Sequence, residues 1–328
     1  MSKPVLFVTG LGKDKARAEN ISVLYEAYPG EKEYISGHDP DANIIIQSGK
    51  YDLMVIDVFP IVKPKKAIMI WHAIQGGKYI GLDQKGSYYK PQMAQLIDYI
   101  IVAGYGGGDM FYRCTGVDMD KIIPLGMPRT DRYFRKDGAD AEPPHYLLDG
   151  SKRIYLFAPT FRGGSDPAMP QIDWKKIDSR LKDDEIFLVK PHPYGSDFAI
   201  YGCEHVYQLY PMEPTYPYLR VADVVITDYS SIMFDAYLME KPVVLFEKAA
   251  GYVQQRGMYL SYPVKYSSRY ATDEVQMIRL AREADGLTDV ERNCREYVAT
   301  FCDGNSCERH RLGGVNHRTF IFSQFSSL

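Results

Sequence analysis

The strongest constraint in this chain is the recurrence of short, almost unbroken apolar runs, each followed by turn residues and then a stretch with helical spacing. Val5-Leu6-Phe7-Val8-Thr9, Leu53-Met54-Val55-Ile56-Asp57, Ala67-Ile68-Met69-Ile70 and Tyr99-Ile100-Ile101-Val102-Ala103 lie in the first half. Ile154-Tyr155-Leu156-Phe157-Ala158, Ile186-Phe187-Leu188-Val189-Lys190, Val224-Val225-Ile226-Thr227 and Val243-Val244-Leu245-Phe246 lie in the second. A strand that is apolar along its whole length, not only at alternate positions, is buried on both faces. That is the property of a parallel sheet covered by helices, so the expected class is α/β.

At 328 residues the chain exceeds the roughly 250–300 that one hydrophobic core supports, which predicts two domains. The polar stretch from Arg135 to Lys152, with Pro143-Pro144 inside it, breaks the alternation and is the expected linker. The predicted domains are 1–140 and 150–328. The second ends in helices, because Val275, Ile278, Leu280 and Val298 recur at helical spacing between Thr272 and Phe301. Two Rossmann-like, doubly wound domains suggest a glycosyltransferase-B-like architecture, with ligand in a cleft between them at the carboxyl ends of the strands.

Composition removes several function classes. A formal net charge of -3 gives no overall attraction to nucleic acid. The apolar share of 45% beside 25% charged residues is that of a globular protein. Five cysteines, Cys114, Cys203, Cys294, Cys302 and Cys307, are odd in number and lack CxxC spacing, which argues against a disulfide framework or a zinc site. The 27 tyrosines suit an aromatic-rich core as well as a carbohydrate-facing or membrane-proximal surface. The apolar run near Met1 is too brief for a signal peptide or a span, so a cytoplasmic protein is expected.

Chemistry-bearing residues cluster where runs end. Trp71-His72-Ala73-Ile74-Gln75-Gly76-Gly77-Lys78 follows the run at 67–70. There an imidazole can take a proton from a hydroxyl, and Lys78 can neutralise phosphate; a histidine that is buried and hydrogen-bonded next to a packed Trp71 is the competing reading. Lys190-Pro191-His192-Pro193 ends another run, its prolines fixing the backbone around His192. Thr227-Asp228-Tyr229-Ser230-Ser231 feeds a helical pattern through Ile232, Ala236 and Met239. Ser230 and Ser231 are expected to cap that helix and present its N–H groups to a diphosphate. Arg129 in Gly126-Met127-Pro128-Arg129-Thr130-Asp131, Arg162 in Ala158-Pro159-Thr160-Phe161-Arg162-Gly163-Gly164, and Arg309 in Asp303-Gly304-Asn305-Ser306-Cys307-Glu308-Arg309 could each fork onto phosphate oxygens or make surface ion pairs.

Taken in order, WHAIQGGK, GMPRTD, APTFR, KPHP, ITDYSSIMFDAYLMEKPVVLF and DGNSCER resemble the CDP-glycerol glycerophosphotransferase family of teichoic-acid-type polymer enzymes. The resemblance implies a transferase that moves a polyol phosphate, glycerol phosphate first, from CDP-glycerol or CDP-ribitol to a hydroxyl of a glycan or lipid-linked polymer, releasing CMP. It makes residues 1–140 the acceptor-side domain and 150–328 the nucleotide-donor domain. It implies that His72 is the general base and that His192 stands by the donor phosphates. Lys78, Arg129, Arg162, Asp228, Ser230, Ser231 and Arg309 are then expected around the donor. No cofactor is implied; no carboxylate cluster calls for a metal, and a weakly held Mg²⁺ is compatible with the sequence without being indicated.

Two departures matter. Ala73 stands where family members often have Gly, a small change beside His72. Many members carry a longer N-terminal portion that meets the membrane. Without it, an acceptor presented by a partner protein, a soluble saccharide, or peripheral attachment at the inner face of the membrane are all open. The rival readings are a glycosyltransferase of the same architecture using a sugar nucleotide, and a non-catalytic relative that binds nucleotide or polymer.

Overall fold

The computed structural model describes residues 3–10, 19–57, 60, 62–79, 91–135, 143, 144, 147, 150–162, 171–193, 195, 198, 200–248 and 251–312. The chain divides into two compact units. The first comprises Met1–Gln75, Ile80–Arg135 and Tyr297–Leu328, and the second Gly76–Tyr79 and Lys136–Glu296.

In the first unit the described elements run β1 (Val5–Thr9), α1 (Asn20–Ala27), β2 (Lys32–Ser36), α2 (Ala42–Gln47), β3 (Leu53–Ile56), β4 (Ala67–Ile70), α3 (Pro91–Ala94), β5 (Tyr99–Ile101), α4 (Tyr105–Thr115) and β6 (Ile122–Ile123). The strands form one parallel sheet in the order β2-β1-β3-β4-β5-β6. All of β1 and β4 is buried, as their unbroken apolar sequences require. The order reverses between β1 and β3. There Oγ1 of Thr9 donates to Oδ2 of Asp57 at 2.9 Å, and the N–H of Gly10 donates to Oδ1 at 2.6 Å. Burial raises the Asp57 carboxyl to about 6, and these hydrogen bonds only partly oppose it.

The second unit holds β7 (Arg153–Phe157), α5 (Trp174–Asp178), β8 (Glu185–Val189), β9 (Val206–Gln208), α6 (Tyr216–Val221), β10 (Val224–Thr227), α7 (Ile232–Leu238), β11 (Val243–Phe246), α8 (Tyr252–Arg256), β12 (Tyr270–Ala271), α9 (Glu274–Glu283) and most of α10 (Asp289–Ala299). Its parallel sheet runs β12-β11-β10-β7-β8-β9, so the order reverses between β7 and β10. Phe157, Phe187, Val189, Ile226 and Phe246 pack under Trp174 and Ile177 of α5 and Met277 and Ile278 of α9. The Asp273 side chain caps α9 by accepting from the N–H groups of Val275 and Gln276.

Each unit is thus a Rossmann-like, doubly wound α/β domain, the class the sequence predicts. The division differs from the predicted one in two places. Gly76–Tyr79 belongs with the second unit because Lys78 bridges Met258, the N–H of Tyr79 donates to the Gly257 carbonyl, and Tyr266 Oη donates to the Gly76 carbonyl. The chain returns to the first unit at Tyr297, so its last described helix, α11 (Ser306–Leu312), belongs there, whereas the predicted boundary puts it in the second domain. Most of the expected linker lies outside the described residues.

Candidate functional site

In the second unit the loops after β7 and β10 meet at the reversal of strand order, where open α/β sheets bind their ligands. Asp228, at the end of β10, joins them. Its Oδ1 accepts from the N–H of Thr160 and of Tyr229, both at 2.7 Å, and its Oδ2 accepts from Nη2 of Arg162 at 2.6 Å. The Arg162 guanidinium lies 4.4 Å from the ring centre of Tyr252, which stacks on Tyr229 at 4.2 Å with the planes 10° apart. Nε and Nη1 of Arg162 and Oγ1 of Thr160 are buried with no hydrogen-bond partner among the described residues.

Lys78, Lys190 and His192 belong to the same unit. Lys190 closes β8; burial lowers its ammonium to about 8, and Nζ donates to the carbonyls of Pro191 at 3.0 Å and Pro211 at 2.7 Å. His192 packs on Phe161 with ring centres 5.3 Å apart. Burial, then the positive charges of Lys78 and Lys190, bring its imidazole down to about 4, so it is neutral at pH 7.

The serines do less locally than expected. Ser231 occupies the cap position of α7 with helical backbone angles and makes no side-chain cap bond. Only the Ser230 hydroxyl accepts, from the N–H of Ile232 at 3.4 Å. Asp228 likewise serves as the tie between two loops and to Arg162. Gly163 and Gly164 lie outside the described residues.

In the first unit His72 stands exposed just after β4, between buried Trp71 and partly buried Ala73, with its ring 4.7 Å from that of Trp71. His72 is thus exposed and not buried, although its ring lies against that of Trp71. Arg129 is drawn inward: Nη1 donates to Tyr133 Oη at 2.9 Å, and Nε is 3.7 Å from Glu19. Arg309 pairs with Asp303 and donates from Nε to the Leu125 carbonyl at 2.9 Å and from Nη2 to the Phe301 carbonyl. Asp131 accepts from the N–H groups of Ser306 at 2.9 Å and Cys307 at 2.6 Å. GMPRTD and DGNSCER thus lock to each other. Gly126 has φ 79°, and a Cβ there would meet the Phe301 carbonyl oxygen at 2.1 Å, which is why glycine begins the first motif. These contacts hold Arg309 within the first unit; the sequence expects it near the donor.

Sequence reasoning missed Asn20, which is fully buried in the first unit and bonded to both the His72 and the Arg129 segments. It also missed the tyrosines beneath Arg162. A single polar residue at a helix start, or an aromatic pair remote in sequence, leaves no spacing signal. Among the described residues no group of three or more His, Cys, Asp or Glu could hold a metal ion, and no helix is long and apolar enough to cross a membrane.

Fold and site define a two-unit, Rossmann-like α/β protein with a partly buried arginine at the switch point of one unit and an exposed strand-end histidine in the other. Residues 39–310 match the family described as CDP-Glycerol:Poly(glycerophosphate) glycerophosphotransferase, and the chain belongs to that family. It is 28% identical over 282 residues to the teichoic acid poly(ribitol-phosphate) polymerase of Bacillus spizizenii, covering 78% of this chain and 45% of that protein. It is 24% identical over 267 residues to the teichoic acid glycerol-phosphate primase of the same organism, covering 77% and 69%. The chain therefore spans about half the length of the first relative and about two thirds of the second. The wall teichoic acid polymerase TagF superposes with a TM-score of 0.72 at 17% identity, over 97% of this chain and 89% of that one, a likeness of fold.

Proposed function

We propose that this chain transfers a polyol phosphate from a CDP-polyol, CDP-glycerol first, to a hydroxyl of a teichoic-acid-type glycan or polymer, with release of CMP. The observation that carries the reading is the junction of the β7 and β10 loops. Arg162, held by Asp228 and stacked on Tyr252, keeps buried N–H donors on Nε and Nη1 beside the Thr160 hydroxyl. A buried guanidinium with unspent donors suits phosphate oxygens, which accept several charge-assisted hydrogen bonds at once. Lys78, Lys190 and neutral His192 add positive charge and an imidazole N–H to the same unit. Ser231, whose hydroxyl makes no cap bond, and Ser230 beside it stand where α7 begins and can meet the diphosphate.

In this mechanism His72 takes the proton of the acceptor hydroxyl as its oxygen attacks the phosphorus that carries the polyol. The bond from that phosphorus to the CMP oxygen breaks, and the charge passing to CMP is offset by Arg162 and the lysines. The names of the relatives, which act with ribitol phosphate and glycerol phosphate, support a polyol as the transferred group. A polymer acceptor held on lipid would bring the protein to the inner face of the cell membrane, by peripheral attachment or through a partner.

Titration calorimetry with CDP-glycerol, CDP-ribitol and a panel of UDP- and GDP-sugars tests the donor class. Binding of a CDP-polyol that is lost in Arg162→Ala supports the reading. Binding confined to a sugar nucleotide would overturn it in favour of glycosyl transfer.

A further inference from the structure

We infer that Asn20 is a positioning residue for His72, an inference that rests on the reading of His72 as the base. Asn20 opens α1 and is fully buried. Its Nδ2 donates to the carbonyl of Trp71, the residue before His72, at 2.7 Å, with Met127 Sδ 3.3 Å away. Its Oδ1 accepts from the N–H of Arg129 at 3.1 Å. One amide thus holds the two segments that carry WHAIQGG and GMPRTD, and Glu19 beside it faces the Arg129 guanidinium.

The loop bearing His72 is pinned at its other end too, where Oε1 of buried Gln75 accepts from the N–H of Ala103 at 3.1 Å. Trp71 itself is fixed by Phe111, ring centres 6.0 Å apart. Between these anchors only His72 is exposed and Ala73 partly so. Removing the Asn20 amide takes its donor away from the Trp71 carbonyl and lets the imidazole drift. A misplacement of about 1 Å at a reacting group can cost on the order of 100-fold in rate.

Asn20→Ala and Asn20→Asp are made in the full chain and compared with the parent, with melting monitored to show that each folds. In Asn20→Ala the account predicts a fall in kcat of about 10- to 100-fold with the donor KM within about twofold of the parent. Asn20→Asp gives a pH signature. Protonated, its O–H can donate to the Trp71 carbonyl and its other oxygen can still accept from Arg129, so activity relative to the parent recovers as pH falls. The Asn20→Ala ratio has no such limb.

His72 is also followed without turnover, by its rate of modification with diethyl pyrocarbonate read by mass spectrometry of the peptide that contains it. The account predicts a clear change of rate in Asn20→Ala. An unchanged kcat and modification rate in folded Asn20→Ala overturns the inference, as does a fall in kcat matched by an equal loss of folded protein. A parent that releases no CMP overturns the functional reading alone, and the modification rate still decides the role of Asn20.

Discussion

Arg162 and Asp228 are joined across 66 residues of sequence, Nη2 to Oδ2 at 2.6 Å, and the bond closes the two loops that flank the reversal of strand order in the second unit. Because Asp228 also accepts from the N–H groups of Thr160 and Tyr229, the carboxylate sets the shape of the junction and the guanidinium supplies its charge. Arg162→Lys keeps a charge but loses the fork and the stacking on Tyr252. Donor affinity should fall about 10- to 100-fold, the equivalent of ~1.5–3 kcal/mol for lost charge-assisted hydrogen bonds. Calorimetry with CDP-glycerol checks this, and an unchanged affinity would remove Arg162 from the donor site.

In the proposed mechanism His72 acts on the acceptor, so its loss should be seen in turnover and not in donor binding. His72→Ala is expected to lower kcat by about 10²–10⁴-fold while the donor dissociation constant stays within about twofold. Parent-like turnover would exclude the imidazole as the base.

The ammonium of Lys190 titrates at about 8 because burial disfavours its charged form. It is therefore charged at pH 7 and loses its proton as pH rises through 8, when its attraction for a diphosphate goes with it. Donor affinity should decline between pH 7 and 9, and Lys190→Met should be weaker throughout and lack that decline. His192 works in the opposite range. Its free imidazole is neutral above about 4, and a bound diphosphate would favour the imidazolium, so binding should strengthen as pH falls from 6 toward 4 and this limb should vanish in His192→Ala. Titrations of affinity against pH at constant ionic strength separate the two.

Asp131 and Arg309 are placed to hold the first unit together. Asp131→Ala removes the acceptor for two N–H groups at the start of α11 and should cost about 1–2 kcal/mol of stability. Arg309→Ala should also lower the melting temperature and leave donor affinity unchanged, since its guanidinium is spent on Asp303, Leu125 and Phe301. A loss of donor affinity with unchanged stability in Arg309→Ala would return it to the donor.

The central strands were legible because burial on both faces leaves a run such as Val224–Thr227 with no polar residue until its end. The edge strands were not. Lys32–Ser36 is half-exposed along most of its length, Val206–Gln208 buries only Val206, and Ile122–Ile123 and Tyr270–Ala271 are two residues long, too short to carry a period. His72, Arg162, His192 and Asp228 stand out by their position after strands, but the partners of the motif residues do not. Asp131 reaches Ser306 across 175 residues, and Lys78 belongs with the second unit only because its segment pairs with residues near Met258. Contacts at such separations have no local trace.

The most direct test of the central claim is the nucleotide released when the purified protein is incubated with CDP-glycerol, CDP-ribitol or sugar nucleotides, with and without a teichoic-acid-type acceptor, and the products are analysed by mass spectrometry. The account predicts CMP from a CDP-polyol, dependent on acceptor and reduced at least about 100-fold in His72→Ala. Release of a nucleoside diphosphate from a sugar nucleotide, with no CMP from either CDP-polyol, would contradict it.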